Sequence, residues 1–463
     1  MPNRAHLGNR YLRRHRPGAW QKGLDMRSES VRDVDRIEYY SEYFHRLAQK
    51  TQIVSPYGTL TVTHSRQTHA RKVGQFAQSI ARNLLFKPRG PDIAARLGGL
   101  DPDVVRAAGA AHDIGHPPFG HRGEDVLDEW CKRSGLDGFE GNAQSYRVAT
   151  KLEVQPGVDY GMDLTFAVQS ALLKYPRFAG DQPTSGLSKK WGVYRSEQLD
   201  FDEAAQASPP LAAGVQSLEA SLMDFADDMT YALHDFEDFF RLGAVQSAWL
   251  PETDFWANDD VPASRLRESE TRFSAPSWVA SCSHVASYFA RPEMRPLLEP
   301  FQDRQDQLRA LKEFTSHFLT RWLGGVDFSP ENGLLVPDHA WHEVNVLKQM
   351  TWDRVIARPS LGLSQVGQGH LVGTLADALL DILDSAVEDD RLQFCPTRLW
   401  ELYLLCERDT DWLRADPDRS EVSLRARAVA DYISWLTEAQ AESLFRRLTG
   451  AALDVDPVGG WLR

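Results

Sequence analysis

Hydrophobic residues recur at intervals of three and four along most of this chain, the spacing of amphipathic α-helices. The clearest stripe begins at His69 and continues through apolar residues to Leu84, so the imidazole lies at the start of a buried helix face. A run of small apolar residues at 104–111 predicts a buried helix, which the glycines and prolines of 115–120 end. Few segments alternate as strands do. The predicted fold class is all-α.

The same spacing predicts helices elsewhere. Residues 28–52 predict one helix with a polar outer face, and residues 217–243 predict another that carries many carboxylates. After a connector rich in proline, serine and aspartate, the chain predicts further helices to about residue 450. The sequence therefore divides into a basic arm, a core and a helical C-terminal part: 1–27, 28–250 and 251–463.

Composition narrows the class of protein. The net charge of −13, from 52 basic and 65 acidic residues, gives no global reason to expect nucleic-acid or membrane binding. The arm carries seven basic residues and a single acidic one, Asp25. A solvated, flexible tail is the favoured interpretation of this charge, and contact with an anion or nucleic acid is the alternative. Four cysteines without C-x-x-C spacing indicate reduced thiols, and neither a signal peptide nor a membrane-spanning run is apparent. We expect a soluble cytoplasmic protein.

Residues 107–125 hold more titratable side chains than a fold requires. His112 and Asp113 lie where the predicted buried helix ends, and burying these groups is unfavourable unless a partner compensates them. A divalent metal ion is the simplest partner for both. His69 alone would indicate a hydrogen-bonded core histidine, but adjacent helices can bring it to the His112–Asp113 pair.

Carboxylates recur every three or four residues along the helix predicted at 217–243. Asp227, Tyr231 and Asp235 share one face of it. A solvated face is the ordinary explanation for such a run. However, carboxylates four residues apart with no lysine or arginine between them repel one another, so a metal ion and a basic partner would stabilise them.

The candidate metal ligands are two imidazoles and two carboxylates: His69, His112, Asp113 and Asp227. This set suits Mg²⁺, Mn²⁺ or another first-row divalent ion and leaves positions open for water and a phosphate oxygen. His121 and Glu124, three residues apart, form a candidate acid–base pair. The residues alone therefore indicate metal-assisted hydrolysis of a phosphoester or phosphoanhydride.

Two helix ends carry residues with two interpretations each. Lys174 and Tyr175 precede Pro176, where a cation either caps the helix or contacts phosphate. Arg46 and Gln52 lie at the end of the first helix, where they are either solvated or in contact with an anionic ligand.

Three segments resemble the signature of the HD superfamily: RQTH at 66–69, HDIGHPPFGHRGE at 112–124 and ADDMTYALHDFED at 226–238. With FEGNAQSYR at 139–147 and KKWGVYRSEQ at 189–198, they more narrowly resemble the bacterial dGTPase-like deoxynucleoside triphosphate triphosphohydrolases. The resemblance implies an HD-domain helical bundle with additional C-terminal helices. It also implies that water attacks the α-phosphorus of a dNTP, releasing a deoxynucleoside and inorganic triphosphate. The family further implies a homo-oligomer, whose activity can depend on a second, regulatory nucleotide.

The resemblance also implies residue roles. The four candidate ligands would bind the metal ion, and His121 with Glu124 would serve catalysis. Tyr231 would pack against the deoxyribose and crowd out a 2′-hydroxyl. The other implied contacts to sugar and phosphates are Arg46, Gln52, Asn142, Lys174, Tyr175 and Asp235. Asp228 could replace Asp227 as a ligand, but only Asp227 lies one turn from Tyr231 and two turns from the next aspartate of that face.

Two alternatives stay open at this point. The first is another HD phosphohydrolase, acting on a nucleoside monophosphate, a cyclic nucleotide or an alarmone. The second is a catalytically silent module that senses nucleotides or binds single-stranded nucleic acid. The occupied ligand positions and the presence of both His121 and Glu124 favour an enzyme over the second alternative.

Overall fold

The all-α class predicted from the sequence is confirmed in a computed structural model of the chain. The structure describes residues 9–13, 26–52, 63–158, 161–181, 190–208, 214–244, 272–352, 359–388 and 392–451. Strands in these ranges form one short antiparallel hairpin, β1 (Asp327–Ser329) with β2 (Gly333–Leu335). The predicted boundary at 250/251 lies outside the described residues.

The N-terminal half forms α1 (Glu29–Asp35), α2 (Glu42–Arg46), α3 (Arg66–Phe86), α4 (Gly90–Arg96), α5 (Pro102–Ala111), α6 (Gly120–Arg133), α7 (Gly141–Arg147), α8 (Phe166–Leu172), α9 (Gln198–Ala207) and α10 (Leu218–Arg241). The C-terminal half forms α11 (Ala275–Phe289), α12 (Gln305–Gly324), α13 (Asp338–Thr351), α14 (Pro359–Glu388), α15 (Thr397–Arg408), α16 (Thr410–Ala415), α17 (Glu421–Trp435) and α18 (Glu438–Leu448). In the described ranges, no helix is both long enough and apolar enough to cross a bilayer.

Residues 28–52 do not form the single helix that their pattern predicts. Ser41 adopts an extended conformation between two helical segments (φ −74°, ψ 120°). Its hydroxyl accepts a hydrogen bond from the amide of Phe44 and donates one to the carboxylate of Glu153. A serine that bonds the backbone locally competes with a continuous helix, so α2 begins here as a separate element.

Helices α3 and α5 cross at two glycines. A Cβ atom added to Gly109 would lie 2.5 Å from the Cα of Gly74, and one added to Gly74 would lie 2.7 Å from the carbonyl oxygen of Arg106. Larger residues would therefore hold the two helices apart. The close approach matters for the site, because α3 carries His69 and α5 ends beside His112.

We predict that Gly109→Ala destabilises the protein by about 1–3 kcal/mol, because the added methyl overpacks the helix crossing. Urea unfolding of the purified protein measures the change. Gly324→Ala is the matched control, since its Cβ would meet no atom within 4 Å, and it should stay within about 0.5 kcal/mol of the unmodified chain. Equal stability of the two variants would contradict the role given to the crossing.

The arm predicted at 1–27 lies mostly outside the described residues, but three of its arginines are described, and two of these, Arg10 and Arg13, are buried. Arg10 is buried and forms an ion pair with Glu219 at the start of α10. Arg13 is buried against Asp33 of α1. A buried carboxylate requires a partner, and these arginines supply it. Their charge is therefore neutralised within the fold and is not presented to an external anion.

Buried ion pairs join the N-terminal half to the C-terminal helices. Arg147, at the end of α7, donates to Asp431 of α17 at 2.8 Å and to Glu197 at 2.7 Å, and all three side chains are fully buried. Nearby, Lys50 donates to the carbonyl oxygens of His116 and Ser434. Removing one partner of such a pair leaves an uncompensated buried charge, so these contacts fix α17 against the core.

Candidate active site

Three helices bring imidazole and carboxylate groups together. His69 lies in the first turn of α3, His112 follows the last residue of α5, and Asp227 lies within α10. Oδ1 of Asp227 is 3.0 Å from Nε2 of His69 and 3.5 Å from Nε2 of His112. His112 donates its Nδ1 proton to the carbonyl of Gly109 at 2.7 Å, which leaves Nε2 as its ligand atom. The three ligand atoms lie within 4.8 Å of one another.

Each of the two carboxylates of the cluster accepts a hydrogen bond from a cationic side chain. Arg66 donates to Oδ2 of Asp113 at 2.8 Å, and Oδ1 of that residue lies 3.6 Å from Nε2 of His112. Lys174 donates to Oδ2 of Asp227 at 2.9 Å, and Oδ1 faces the imidazoles. Asp113 lies at the edge of the cluster, since the mutually close atoms belong to the other three candidate ligands. Such outer bonds orient metal ligands.

The electrostatic environment of the cluster stabilises a positive charge placed among its side chains. Burial disfavours the charged imidazole of His112, yet Asp113 and Asp227 raise its pKa to about 9. Burial alone would raise the pKa of Asp227, but Lys174 and His112 hold it well below its usual value. Two ionised carboxylates beside two imidazoles form a donor set that fits a divalent metal ion, which would replace the proton on His112.

A second pair of side chains lies beside this cluster. His121 Nδ1 donates to Oε2 of Glu124 at 3.0 Å, and the amide of Gly141 donates to Oε1 at 3.1 Å. Burial alone would raise the pKa of Glu124, but the bond to His121 and the nearby His116 lower it, so the carboxylate is ionised. The side chain of His121 is 61% exposed. An imidazole fixed at Nδ1 and open to solvent is suited to proton transfer through Nε2.

His116 connects the pair to the cluster. Its Nδ1 atom lies 3.6 Å from Oδ1 of Asp113, and its Nε2 atom lies 3.9 Å from Oε2 of Glu124. Burial and the charge of Arg66 lower the pKa of His116 to about 3, so the ring is neutral. The two groups therefore belong to one continuous site.

Backbone conformation sets the position of His121. The two residues before it, Phe119 and Gly120, both have left-handed angles (φ 66° and 56°), which a non-glycine residue rarely adopts. A Cβ atom added to Gly120 would lie 2.9 Å from Nη2 of Arg66. The glycine thus lets the turn lie directly against the arginine, and α6 begins with His121 facing the cavity described next.

A cavity of about 840 Å³ opens beside His121 and Glu124. Two more of the predicted contacts, Gln52 and Tyr231, line it. The rest of its wall combines aromatic, charged and polar residues: Thr51, Arg66, Phe119, Gly120, Arg122, Asp125, Lys190, Phe239, Trp352, Gly362, Gln365 and Val366. A cavity of this volume, with cations and aromatic rings in its wall, can hold a nucleotide.

Arg46 is not among the residues that line this cavity, although the resemblance places it near the sugar. Its guanidinium stacks on the ring of Trp435, 3.4 Å from the centroid, and donates to Gln440 at 2.7 Å. The side chain is therefore held between α2 and the C-terminal helices α17 and α18.

Four other predicted contacts lie near the site but not in the cavity wall: Asn142, Lys174, Tyr175 and Asp235. Asn142 donates to Glu140 at 2.8 Å. Lys174 is bound to Asp227, and its Nζ atom is 6.0 Å from the ring centroid of Tyr175. Asp235 is fully buried, and burial raises its pKa well above the usual value.

The structure separates the adjacent aspartates of α10. Asp227 joins the cluster, whereas Asp228 forms an ion pair with Lys348 at 2.8 Å and lines a separate cavity of about 510 Å³. The structure thus brings Asp227, and not Asp228, to His69 and His112, and its role as a metal ligand stays a prediction.

Sequence reasoning assigned no role to Arg66 or His116. Arg66 precedes His69 by three residues, and helical spacing places both on one face, so this signal was present in the chain. His116 belongs to the same motif as His112, but the left-handed turn that separates it from His121 carries no periodic pattern.

The chain is similar to known proteins over most of its length. Residues 66–232 match the model of the HD domain. A deoxyguanosinetriphosphate triphosphohydrolase-like protein of Corynebacterium efficiens is 30% identical over 448 residues, which cover 92% of each chain. A protein of the same name from Streptomyces coelicolor is 31% identical, and the aligned region covers 92% of this chain and 93% of that protein. Another, from Shewanella halifaxensis, is 28% identical, with 96% of this chain and 95% of that protein covered.

Proposed function

This chain belongs to the HD-domain family of deoxyguanosinetriphosphate triphosphohydrolase-like proteins, and from that membership we propose that it hydrolyses deoxynucleoside triphosphates to a deoxynucleoside and inorganic triphosphate. The family is one of phosphohydrolases, which agrees with the metal-assisted chemistry that the residues indicate. The choice of a dNTP as substrate is part of the proposal.

One observation carries the proposal: the candidate metal-ligand cluster lies beside an acid–base pair that lines a nucleotide-sized cavity, and Arg66 of the cavity wall donates to Asp113 of that cluster. His69, His112 and Asp227 lie within 4.8 Å of one another at their ligand atoms. His121 and Glu124 line the cavity. A phosphorus atom bound between the two groups would be close to both the metal ligands and the base.

The residues take the following roles in this proposal. His69, His112, Asp113 and Asp227 hold the divalent ion, Mg²⁺, Mn²⁺ or another first-row metal, which supplies positive charge to a phosphoryl oxygen when bound. His121 accepts a proton from the water that attacks the α-phosphorus. The bond from phosphorus to the 5′-oxygen breaks, and that oxygen takes up a proton as the deoxynucleoside leaves. Glu124 keeps the imidazole oriented.

Contacts to the sugar are proposed from the cavity wall. Tyr231 packs against the deoxyribose, so a 2′-hydroxyl would be crowded, and Gln52 lies within reach of the same ligand. Lys174 acts through Asp227, which it orients. The direct contacts assigned by resemblance to Arg46, Asn142, Tyr175 and Asp235 stay predictions, as do the homo-oligomer, the regulatory nucleotide and the cytoplasmic location.

The C-terminal part completes the site in this proposal. Trp352, which follows α13, and Gln365 and Val366 of α14 line the cavity opposite elements of the N-terminal half. Residues 28–250 then form the phosphohydrolase core, and residues 251–463 supply part of the nucleotide site.

Product analysis tests the proposal. The protein is incubated with each of the four dNTPs in Mn²⁺ or Mg²⁺, and the products are separated by ion-exchange chromatography. We expect equal amounts of deoxynucleoside and inorganic triphosphate, and much slower cleavage of the matching ribonucleotide, because Tyr231 crowds the 2′-position. Orthophosphate released from a deoxynucleoside monophosphate, with dNTPs left intact, would instead identify one of the other HD phosphohydrolase activities.

A further inference from the structure

Arg122 is a cation in the cavity wall that the proposed mechanism does not use. It follows His121 directly, in the first turn of α6, and its side chain is partly exposed. Among the residues that the structure describes, none forms a hydrogen bond or ion pair with its guanidinium. A guanidinium that faces a cavity without an internal partner is available to an anionic ligand.

Two other cations of the wall each face a carboxylate: Arg66 at 2.8 Å from Asp113, and Lys190 at 3.6 Å from Glu140. Arg122 differs from both. A carboxylate of the wall near it is Asp125, three residues later; burial and Glu124 raise the pKa of this group, whereas the charges of His121 and Arg122 act to lower it. Three cations therefore line the cavity beside His121, and Arg122 is the one without a carboxylate bound to it in the described part of the chain.

The long helix α14 passes close to the side chain of this arginine at Gly369. A Cβ atom added to Gly369 would lie 2.7 Å from Nε and 3.0 Å from Nη2 of Arg122. The guanidinium thus lies directly against the helix backbone, and a side chain at position 369 would displace it. Gly367, one half-turn earlier, has no atom within 4 Å of an added Cβ and makes no such contact.

We propose that Arg122 binds the substrate's phosphate chain beyond the α-phosphate and that Gly369 holds the arginine in position for it. The inference rests on the proposed function, which places the α-phosphate between the metal ligands and His121. The neighbouring positions in the wall then belong to the outer phosphates. Guanidinium groups bind phosphate oxygens in pairs, and such bonds are stronger than those between neutral groups. Arg122 thereby favours triphosphates over monophosphates.

Isothermal titration with inorganic tripolyphosphate tests this without requiring turnover. The full chain is used, with Mn²⁺ at the same excess in cell and syringe. Arg122→Gln should raise the dissociation constant about tenfold or more, the loss expected for one charge-assisted hydrogen bond. Gly369→Ala should raise it severalfold with the charge intact, because the methyl displaces the guanidinium. Gly367→Ala and Arg133→Gln are the matched controls and should bind tripolyphosphate like the unmodified protein.

The outcomes separate the inference from the proposed function. Weaker tripolyphosphate binding in both Arg122→Gln and Gly369→Ala supports the inference, even in a protein that hydrolyses no dNTP. Unchanged binding in Arg122→Gln overturns it, and so does a loss confined to one dNTP with tripolyphosphate binding intact, since the arginine would then contact a base. Unchanged binding in Gly369→Ala overturns the positioning role of the glycine.

Discussion

Replacing Asp227 by asparagine is expected to abolish stable binding of the divalent ion and to lower hydrolysis by at least about three orders of magnitude. Its Oδ1 atom is the point at which the imidazoles of His69 and His112 converge, at 3.0 and 3.5 Å. The amide is nearly the same size but neutral, so both the ligand charge and the pairing with Lys174 are lost. A metal ion contributes several kcal/mol to stabilising charge on phosphate, which corresponds to a rate factor of about this size.

Metal content by elemental analysis and kcat with a dNTP measure the two effects together. Asp228→Asn is the matched control, because it changes the adjacent carboxylate, which pairs with Lys348 outside the cluster. We expect it to keep its metal ion and most of its activity. If Asp228→Asn lost the ion and Asp227→Asn kept it, the assignment of these neighbours would be wrong.

Replacing His121 by alanine is expected to lower kcat by about two to four orders of magnitude, the usual contribution of a general acid–base group. A metal ion held by His69, His112 and Asp227 should stay bound, because His121 belongs to a separate group of possible ligands, formed with His116 and Glu124. Single-turnover kinetics and metal analysis on the same preparation measure both. The split between lost turnover and retained metal distinguishes this variant from Asp227→Asn.

Glu124→Gln tests the other residue of the acid–base pair. The amide cannot replace the ionised carboxylate that accepts from His121, so kcat should again fall while the metal ion is retained. Because the two residues act as one unit, the double variant should be little slower than His121→Ala alone. Full activity in His121→Ala would show that another group moves the proton.

Periodicity in the sequence predicts which residues the helices of the candidate site bring together. The stripe that begins at His69 fixes which face of α3 is buried, and the run of small residues before His112 indicates close helix packing, seen at Gly74 and Gly109. Helical spacing also favours Asp227 over Asp228 as the residue that faces the cluster. Each of these inferences depends on residues close in sequence, where a helical period determines direction.

Long-range contacts were not accessible in this way. Arg46 binds Gln440, 394 residues away, and no local pattern predicts that α2 and α18 meet. From the sequence, Arg10 is part of a basic tail, because its partner Glu219 lies 209 residues later in the chain. The break at Ser41 was also missed, because a serine within an amphipathic pattern signals a cap only when its hydroxyl partner is known.

Anomalous diffraction at the manganese edge, from crystals grown with Mn²⁺, tests the central claim most directly. The predicted result is a strong peak between His69, His112 and Asp227, which disappears in Asp227→Asn. Absence of a peak at these residues in the unmodified protein, or a peak at a different set of side chains, would contradict the metal-dependent mechanism.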